Sequence, residues 1–297
     1  MAIKKIIIKN FTIFDDVDID VCCGVNVFTG GNGTGKTHLL KVIYAWCEWY
    51  HKGDYPENVL MDCFDNTIND QISNSKIIVE PEQKNVMVVF IPAKEMLTHS
   101  RLEKDYMQRR LPFDATLIDI FNKAGVSELR ELPDYMQEIL DKIASIIGGR
   151  VVYKKDRYFI VRPNGTEIDF VAESEGFKKL GLIYRLVETG NVSKDSILIW
   201  DEPESNINPQ NIPIIVEILL KLQEIGVQIF IATHDYFLAK YLNIKKTKVH
   251  DVSFHALYKE NGTVLHESDS DFSMLENNSI IKQSIELYKE EVRKVMG

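Results

Sequence analysis

The sequence predicts an α/β protein whose centre is a mixed, mainly parallel sheet. Short, continuous apolar runs at 197–200 and 227–232 alternate with helical patterns at 177–190 and 211–225. Strands that a parallel sheet buries on both faces have this apolar pattern. A Gly-rich segment at 30–37 also separates a strand-like run from a helix-like run, as expected where a strand of such a sheet passes into a helix.

The Gly-rich segment reads GGNGTGKT and fits the pattern G-x-x-x-x-G-K-[ST] at every defined position. Glycines in such a turn let backbone N–H groups approach a phosphate without a clash from Cβ. Lys36 is then expected to reach the β- and γ-phosphates, and Thr37 to ligate Mg²⁺. The alternative is a Gly-rich turn without a ligand. The candidate nucleotide-binding residues are Gly30, Gly31, Asn32, Gly33, Thr34, Gly35, Lys36 and Thr37.

Composition indicates a soluble cytoplasmic protein. Apolar residues make up 45% of the 297 residues, and no apolar run is long enough to span a bilayer, so no membrane partner is expected. The formal net charge of −9 does not favour strong, salt-dependent electrostatic binding of nucleic acid. Four cysteines lack the paired spacing of a zinc site and are expected to be free thiols: Cys22, Cys23, Cys47 and Cys63.

The first part of the chain predicts an N-terminal antiparallel β subdomain. Residues 3–9 and 16–21 have strand patterns, and a third strand, leading into the Gly-rich segment, is expected to complete a small meander with them. Cys22 and Cys23 are expected within a strand. Residues 51–76 are polar and predict a loop with one short helix. A further apolar strand at 86–91 ends at Pro92.

Residues 96–170 predict an insert lobe of helices followed by a β-hairpin. Helical patterns occur at 99–110, 114–124 and 133–147, and three short strands with turn signals occupy 150–171. The basic residues of the first helix form either a solvated face or a patch for a partner or nucleic acid; they are Arg101, Lys104, Arg109 and Arg110. The predicted division is a nucleotide-binding lobe over 1–95, the insert over 96–170, and the second half of the nucleotide-binding lobe over 171–297.

Carboxylates follow one buried strand, and a histidine follows the next. Asp201 suits a residue that holds Mg²⁺ through a water molecule, and Glu202 suits a general base that polarises the attacking water. His234, after the strand at 227–232, can contact a γ-phosphate. The alternatives are an acidic helix cap and a structural histidine.

Residues 173–176 (ESEG) precede a helical pattern. A Ser and a Gly at a helix N-terminus can bind an anion through backbone N–H groups and the helix dipole. Ser174 and Gly176 are therefore candidate nucleotide-binding residues. The alternative is an N-cap serine without a ligand.

The order of these segments resembles the ATP-binding-cassette superfamily of P-loop NTPases. The similarity is greatest to the soluble branch of chromosome-maintenance and double-strand-break-repair ATPases and overcoming-lysogenisation-defect nucleases. It covers residues 1–40 and 171–245, in GVNVFTGGNGTGKT, DEPESNINP and ATHDYFL. The resemblance implies that 30–37 is Walker A and that Asp201 and Glu202 are Walker B.

The resemblance also implies a D-loop at 205–208 and a switch histidine at His234. Three positions depart from the family pattern. Glu175 stands where a transporter cassette has the first of two glycines, Asn208 stands where Asp is usual, and Lys94-Glu95 occupies the place of the glutamine loop. The family's ATP sites lie between two subunits. A homodimer around two ATP molecules and Mg²⁺ is therefore implied, with Walker A of one chain facing Ser174 and Gly176 of the other.

These features predict an ATP hydrolase whose ATP-driven dimerisation gates a separately encoded effector, by family analogy in bacterial antiphage defence. The interval from Thr37 to Ser174 is too short for a long coiled-coil arm, and no toprim nuclease domain is expected after His234. Asp269-Ser270-Asp271 is expected to be a solvated loop rather than a metal site.

Two alternatives stay open. The first is a DNA-binding repair or processing ATPase, whose nucleic-acid surface would use the basic residues of the insert, including Lys154, Lys155 and Arg157. The second is a transporter cassette, which the absent glutamine and the altered signature disfavour.

Overall fold

The structure is a computed structural model that describes residues 2–65, 67–82, 86–94 and 114–296. The predicted helix at 99–110, with its four basic residues, lies outside the described residues, as does Glu95. The described strands are β1 Lys5–Phe11, β2 Phe14–Asp20, β3 Val25–Thr29, β4 Lys76–Glu80, β5 Val88–Ile91, β6 Arg150–Lys154, β7 Arg157–Val161, β8 Glu167–Asp169, β9 Ile197–Asp201, β10 Gln228–Thr233, β11 Val252–Glu260 and β12 Thr263–Asp269.

The described α-helices are α1 Lys36–Lys52, α2 Pro56–Cys63, α3 Asn69–Ser73, α4 Ala115–Gly125, α5 Asp134–Ile147, α6 Glu175–Glu188, α7 Ile212–Glu224, α8 Tyr236–Lys245 and α9 Ser279–Met296. In none of the described segments is there a helix with the length and hydropathy needed to cross a membrane.

The central sheet has six strands in the order β12-β11-β3-β10-β9-β5. Strands β11, β3, β10, β9 and β5 run parallel, and only the edge strand β12 is antiparallel. This arrangement confirms the predicted mixed, mainly parallel sheet. A turn at Asn261 and Gly262 joins β11 to β12, and both residues have the positive φ of a tight hairpin turn.

Both faces of the central sheet are covered. On β9, Ile197 and Ile199 contribute to the core beneath α1 and the N-terminal strands, whereas Leu198 and Trp200 contribute to the opposite core. This alternation explains the continuous apolar run in the sequence, because each face of the strand meets a separate hydrophobic layer. The second core includes apolar residues of α5, α6 and α7.

The N-terminal antiparallel sheet differs from the predicted meander. Its order is β2-β1-β4, so β4 supplies the third strand while β3 belongs to the central sheet. Cys22 and Cys23 lie in the turn before β3 rather than in a strand. The segment 51–76 contains two helices, α2 and α3, rather than one, and Pro56 begins α2 at a position where its missing N–H costs nothing.

The described part of the predicted insert contains α4, α5 and a three-stranded sheet in the order β6-β7-β8. Its apolar residues, among them Ile120, Ile143 and Ile160, share one hydrophobic core with α6 and α7. The segment therefore packs directly on the second half of the chain. The boundaries at 96 and 170 stay predictions.

Candidate functional site

The Gly-rich segment 30–37 forms a loop between β3 and α1 with backbone angles that suit glycine. Gly35, the residue before α1, has a φ of 89°, and a Cβ there would lie 2.4 Å from Cζ of Phe14. Gly30 has a φ of 150°, and a Cβ there would lie 2.2 Å from the carbonyl oxygen of Leu257. Side chains at these two positions would strain the backbone and collide with buried neighbours.

The side chains of Lys36 and Thr34 donate hydrogen bonds to backbone carbonyl groups within this loop. The ammonium of Lys36 donates to the carbonyl oxygens of Gly30 at 2.7 Å and Gly31 at 3.0 Å. The hydroxyl of Thr34 donates to the Gly31 carbonyl at 2.9 Å. Burial lowers the pKa of Lys36, which the nearby carboxylates of Asp201 and Glu202 oppose. Asn32 and Gly33 are exposed at the tip of the loop.

Thr37 and Asp201 meet directly. The Thr37 hydroxyl donates to Oδ2 of Asp201 at 2.8 Å, although the two residues lie far apart in sequence. The sheet order causes this contact, because β3, β10 and β9 are parallel neighbours whose carboxyl ends share one edge. Asp201 is only 7% exposed, and burial raises its pKa while the hydrogen bond from Thr37 opposes that rise.

Glu202 and His234 lie side by side at the same edge of the sheet. Nδ1 of His234 is 3.3 Å from Oε1 of Glu202. Glu202 has a φ of 48°, an uncommon left-handed value for a non-glycine residue, and it directly follows β9. Its backbone N–H still donates to the carbonyl oxygen of Ala232 on β10. The chain therefore leaves the strand abruptly at the predicted general base, and strained backbone of this kind is concentrated at functional sites.

Glu204 is a second carboxylate of this cluster that the sequence analysis missed. Its Oε1 accepts a hydrogen bond from the Thr233 hydroxyl at 2.7 Å and lies 3.9 Å from Nδ1 of His234. Its Oε2 is buried and has no hydrogen-bond partner among the described residues. Burial raises the pKa of Glu204. The only sequence signal was a third acidic residue in DEPES, two positions after Glu202.

Lys179 is a further buried residue that the sequence analysis did not single out. It lies on α6, is 1% exposed, and donates to the backbone carbonyl of Glu202 at 3.0 Å and to the hydroxyl of Ser205. The Ser205 hydroxyl in turn contacts the carbonyl oxygen of Ala93, after β5. Burial lowers the pKa of Lys179, and four carboxylates, those of Glu204, Glu202, Asp201 and Glu175, oppose that change. A hydrogen-bonded chain thus joins α6, the segment after β9, and the segment after β5.

Ser174 and Gly176 lie at the N-terminus of α6. The Ser174 hydroxyl accepts from the backbone N–H of Phe177 at 3.4 Å, so it caps the helix. A Cβ on Gly176 would lie 2.8 Å from the carbonyl oxygen of Asn206. Lys36, Thr37, Asp201, Glu202 and His234 are thus brought together. Gly176 lies against the segment that follows Glu202, and Ser174 is exposed at the start of α6. The predicted roles of all these residues stay predictions.

Three other predicted features are placed as follows. The Asn208 side chain accepts from the backbone N–H of Gln210 and caps a short 3₁₀ turn. Lys94 is exposed near the place of the glutamine loop. Asp269 ends β12, so it is not part of a loop as expected, while Asp271 caps another 3₁₀ turn. The four cysteines are free as predicted, and burial together with the nearby Asp251 carboxylate raises the pKa of Cys22 to about 12.

Comparison with known proteins places this site in a family. The sequence profile described as "AAA domain, putative AbiEii toxin, Type IV TA system" matches residues 64–240, more than half of the chain. This chain belongs to that family.

Two curated relatives match shorter parts of the chain. The DNA replication and repair protein RecF of Cytophaga hutchinsonii is 43% identical over 47 residues, which are 16% of this chain and 12% of RecF. The DNA double-strand break repair Rad50 ATPase of Thermococcus kodakarensis is 24% identical over 163 residues, which are 49% of this chain and 18% of Rad50. The chain therefore spans less than a fifth of the length of either relative.

The fold of this AAA-family chain is similar to a solved Smc head. The Smc head bound to the C-winged helix domain of ScpA superposes with a TM-score of 0.55 at 12% identity, over 92% of this chain and 99% of that one. The family profile, the Rad50 match and this fold together confirm the predicted resemblance to soluble ATP-binding-cassette ATPases of the chromosome-maintenance and double-strand-break-repair branch, and the superposition confirms the P-loop α/β fold.

Proposed function

We propose that this AAA-family chain binds ATP with Mg²⁺, closes around it as a homodimer, hydrolyses it, and by that cycle gates a separately encoded effector. The contact of Thr37 with Asp201, beside the Glu202 and His234 pair, carries the proposal. In this arrangement the proposed metal ligand, Asp201, and the proposed base, Glu202, lie beside a phosphate-binding loop. Transfer of a phosphoryl group to water requires all three.

The loop supplies the binding energy for the phosphates. Backbone N–H groups of residues 31–37 and the positive end of the α1 dipole attract the β-phosphate. Lys36 exchanges its bonds to the Gly30 and Gly31 carbonyl oxygens for bonds to phosphate oxygens. That exchange replaces neutral acceptors by charged ones, which form shorter and stronger hydrogen bonds.

The Thr37 and Asp201 oxygens fit Mg²⁺. Both are hard oxygen donors, they already lie 2.8 Å apart, and the carboxylate is almost fully buried. Mg²⁺ commonly binds to one or two protein oxygens, water and substrate phosphates, so a larger set of ligands is not needed. When bound, the cation neutralises charge on the β- and γ-phosphates.

Glu202 is the proposed general base. Its carboxylate accepts a proton from the attacking water, while His234 contacts the γ-phosphate and loses that contact when the phosphate leaves. Glu204 and Thr233 position His234. The Thr233 hydroxyl donates to Oε1 of Glu204, and the same oxygen lies 3.9 Å from Nδ1 of His234. In this arrangement Glu204 is a positioning residue and does not touch ATP.

The proposed dimer completes each site. Ser174 and Gly176 stand at the start of α6, a helix of 14 residues whose N-terminal dipole favours an anion. Ser174 is exposed, so it and the first N–H groups of α6 are available to the ATP of a second copy, whereas Gly176 is buried against Asn206. Lys179 connects this helix to the Glu202 backbone, so closure on ATP and placement of the base would be coupled.

The test uses Glu202→Gln, which keeps the shape of the side chain but removes the base. We expect it to bind ATP and to accumulate as a dimer in light scattering, because closure survives while hydrolysis fails. Lys36→Ala is the control and should stay monomeric with ATP. A Glu202→Gln protein that binds ATP by calorimetry and yet remains monomeric would refute the ATP-bridged dimer.

The gated effector and the defence role are supported by the family description, which names a putative toxin of a toxin–antitoxin system. The DNA-binding alternative is supported by the repair functions in the names of the two relatives. Its candidate cations on the hairpin are largely paired, since Lys154 contacts Glu167, and Arg157 lies 2.6 Å from Asp169. Purification of Glu202→Gln with ATP from its host, followed by identification of bound protein and nucleic acid, separates the two.

A further inference from the structure

Helix α9 is a long amphipathic helix that the described part of the chain leaves uncovered. It has 18 residues, and none of them is buried. The similarly long α1, with 17 residues, buries eight. An amphipathic helix gains most of its stability by packing its apolar face on another surface. The apolar face of α9 is therefore expected to have a partner outside the described residues.

Ile280, Leu287 and Met296 of α9 lie apart, but the other five apolar residues of the helix form one stripe, which we call the α9 seam. It consists of Ile281, Ile285, Tyr288, Val292 and Val295. Their spacing of four, three, four and three residues places them along one side of a helix, as in the contact line between two packed helices. Ile281 packs against the core at the base of the helix, but Ile285, Tyr288 and Val295 are exposed by 48%, 66% and 86%.

One side of the α9 seam is basic. At 100° per residue, Lys282, Lys289 and Arg293 fall together beside the seam. Glu286 lies on the same side and is 2.7 Å from Lys289, which leaves an excess of positive charge there. The chain as a whole has a net charge of −9, so this local excess is opposite to the average surface. A partner with acidic side chains along one side of an apolar stripe would match it.

The base of α9 is connected to the phosphate loop. Asn278, fully buried, donates to the hydroxyl of Thr29 at 2.8 Å and accepts from the backbone N–H of Ile280. Ser279 and Lys282 line a cavity of about 430 Å³ together with Gly31, Asn32 and Thr34. A rearrangement of the loop on binding nucleotide would therefore act directly on the first turn of α9.

We propose that the α9 seam is the docking surface for the effector, and that its occupant is an amphipathic helix with acidic side chains beside its apolar stripe. This inference rests on the proposed function, because it assumes a separate effector. A second copy of α9 is a poorer match. Antiparallel pairing puts basic side against basic side, and parallel pairing puts the basic side against a flank whose one acidic residue is Glu291. A membrane is also a poorer match, because membrane-surface helices carry a strongly cationic polar face, whereas α9 carries Glu286, Glu290 and Glu291 among its four cations.

The test uses two synthetic helical peptides with the same leucine stripe at three- and four-residue spacing. One carries glutamates beside the stripe, the other lysines, and binding to the full chain is measured by fluorescence anisotropy without nucleotide. We expect the glutamate peptide to bind at least about tenfold more tightly than the lysine peptide, as the basic side of the seam requires. Ile285→Glu should weaken that binding about tenfold or more, because it places a charge in the apolar contact.

Two further variants make the test specific. Leu287→Glu is the matched control, because Leu287 is 58% exposed on the same helix but lies outside the seam, and it should leave binding unchanged. Lys282→Glu combined with Lys289→Glu should reverse the preference between the two peptides.

Several outcomes would overturn the inference. These are equal binding of both peptides, binding insensitive to Ile285→Glu, nucleotide-free self-association that Ile285→Glu abolishes, and attachment to anionic vesicles that Ile285→Glu abolishes. The last two would assign the seam to a second copy or to a membrane. Because the measurement needs no nucleotide, its failure leaves the ATP-bridged dimer untouched, and the Glu202→Gln test fails or succeeds independently.

Discussion

Glu204 offers a test in which stability and activity should change in opposite directions. Its side chain is 7% exposed, and Oε2 has no hydrogen-bond partner among the described residues. An unsatisfied buried group costs about 1–3 kcal/mol, more when charged. Glu204→Gln keeps the oxygen that accepts from Thr233 and removes the charge. We expect the free energy of unfolding at pH 8 to rise by about 1–2 kcal/mol, the lower part of that range, because the new amide hydrogens are also buried.

The pH dependence of this gain follows from the raised pKa of Glu204, whose ordinary value is 4.5. Folding disfavours the charged form of Glu204. The free energy of unfolding of the wild type is therefore unaffected by this charge below about pH 4.5, and it falls as the pH rises through the pKa of Glu204 in the folded protein. The advantage of Glu204→Gln should therefore vanish at low pH and grow toward pH 8. Urea unfolding from pH 4 to pH 8 measures it.

Glu217→Gln is a matched control, for which the stability change with pH should have the opposite sign. Hydrogen bonds from Lys245 and Lys142 lower the pKa of Glu217, so Glu217→Gln should lose stability relative to wild type as the pH rises.

ATP hydrolysis by Glu204→Gln should fall about tenfold, or about 1.4 kcal/mol, at unchanged ATP affinity, because His234 loses a neighbouring charge. Destabilisation by Glu204→Gln at pH 8, or a gain that is independent of pH, would refute this reasoning.

Two further predictions concern the loop and the metal. Gly35→Ala should cost about 2–4 kcal/mol of stability, because an alanine there has an unfavourable left-handed backbone and clashes with Phe14. Gly53→Ala at the other end of α1 should cost only about 1 kcal/mol, since nothing lies within 4 Å of that site. Equal losses in urea titrations would contradict the expected clash with Phe14. Thr37→Val should raise the Mg²⁺ concentration for half-maximal hydrolysis about tenfold or more, while Thr37→Ser stays near wild type; no difference between the two would remove Thr37 from the metal site.

The sequence predicted the parts of the fold that have strong local signals. Buried parallel strands such as β9 and β10 appear as continuous apolar runs, and their ends place Asp201 and His234 at one edge of the sheet. Helix α8 was missed because its apolar and polar residues are poorly segregated, although Asp235 caps it. The assignment of β3 to the N-terminal meander was wrong because strand pairing is decided by non-local contacts, which alternation within a strand does not reveal.

Buried charges were the main omission at the candidate site. Lys179 and Glu204 belong to residue types that usually lie at the surface, so their burial could not be read from composition or spacing. Their partners, Ser205 and Thr233, become neighbours only through the order of the central sheet and the packing of α6. The face of α9 that the described residues leave uncovered was similarly hidden, because an amphipathic pattern does not show which surface covers it.

The central claim is that each ATP site is shared between two chains. Lys36→Ala removes the phosphate loop function, and Ser174→Arg blocks the opposite half, so each variant alone should be inactive. A mixture should recover hydrolysis, up to about half of the wild-type activity, because only mixed dimers can close around ATP and each of these contains one intact site of two. Hydrolysis that stays absent from the mixture, while both variants fold and associate, would contradict the shared site, as would full activity of Ser174→Arg alone.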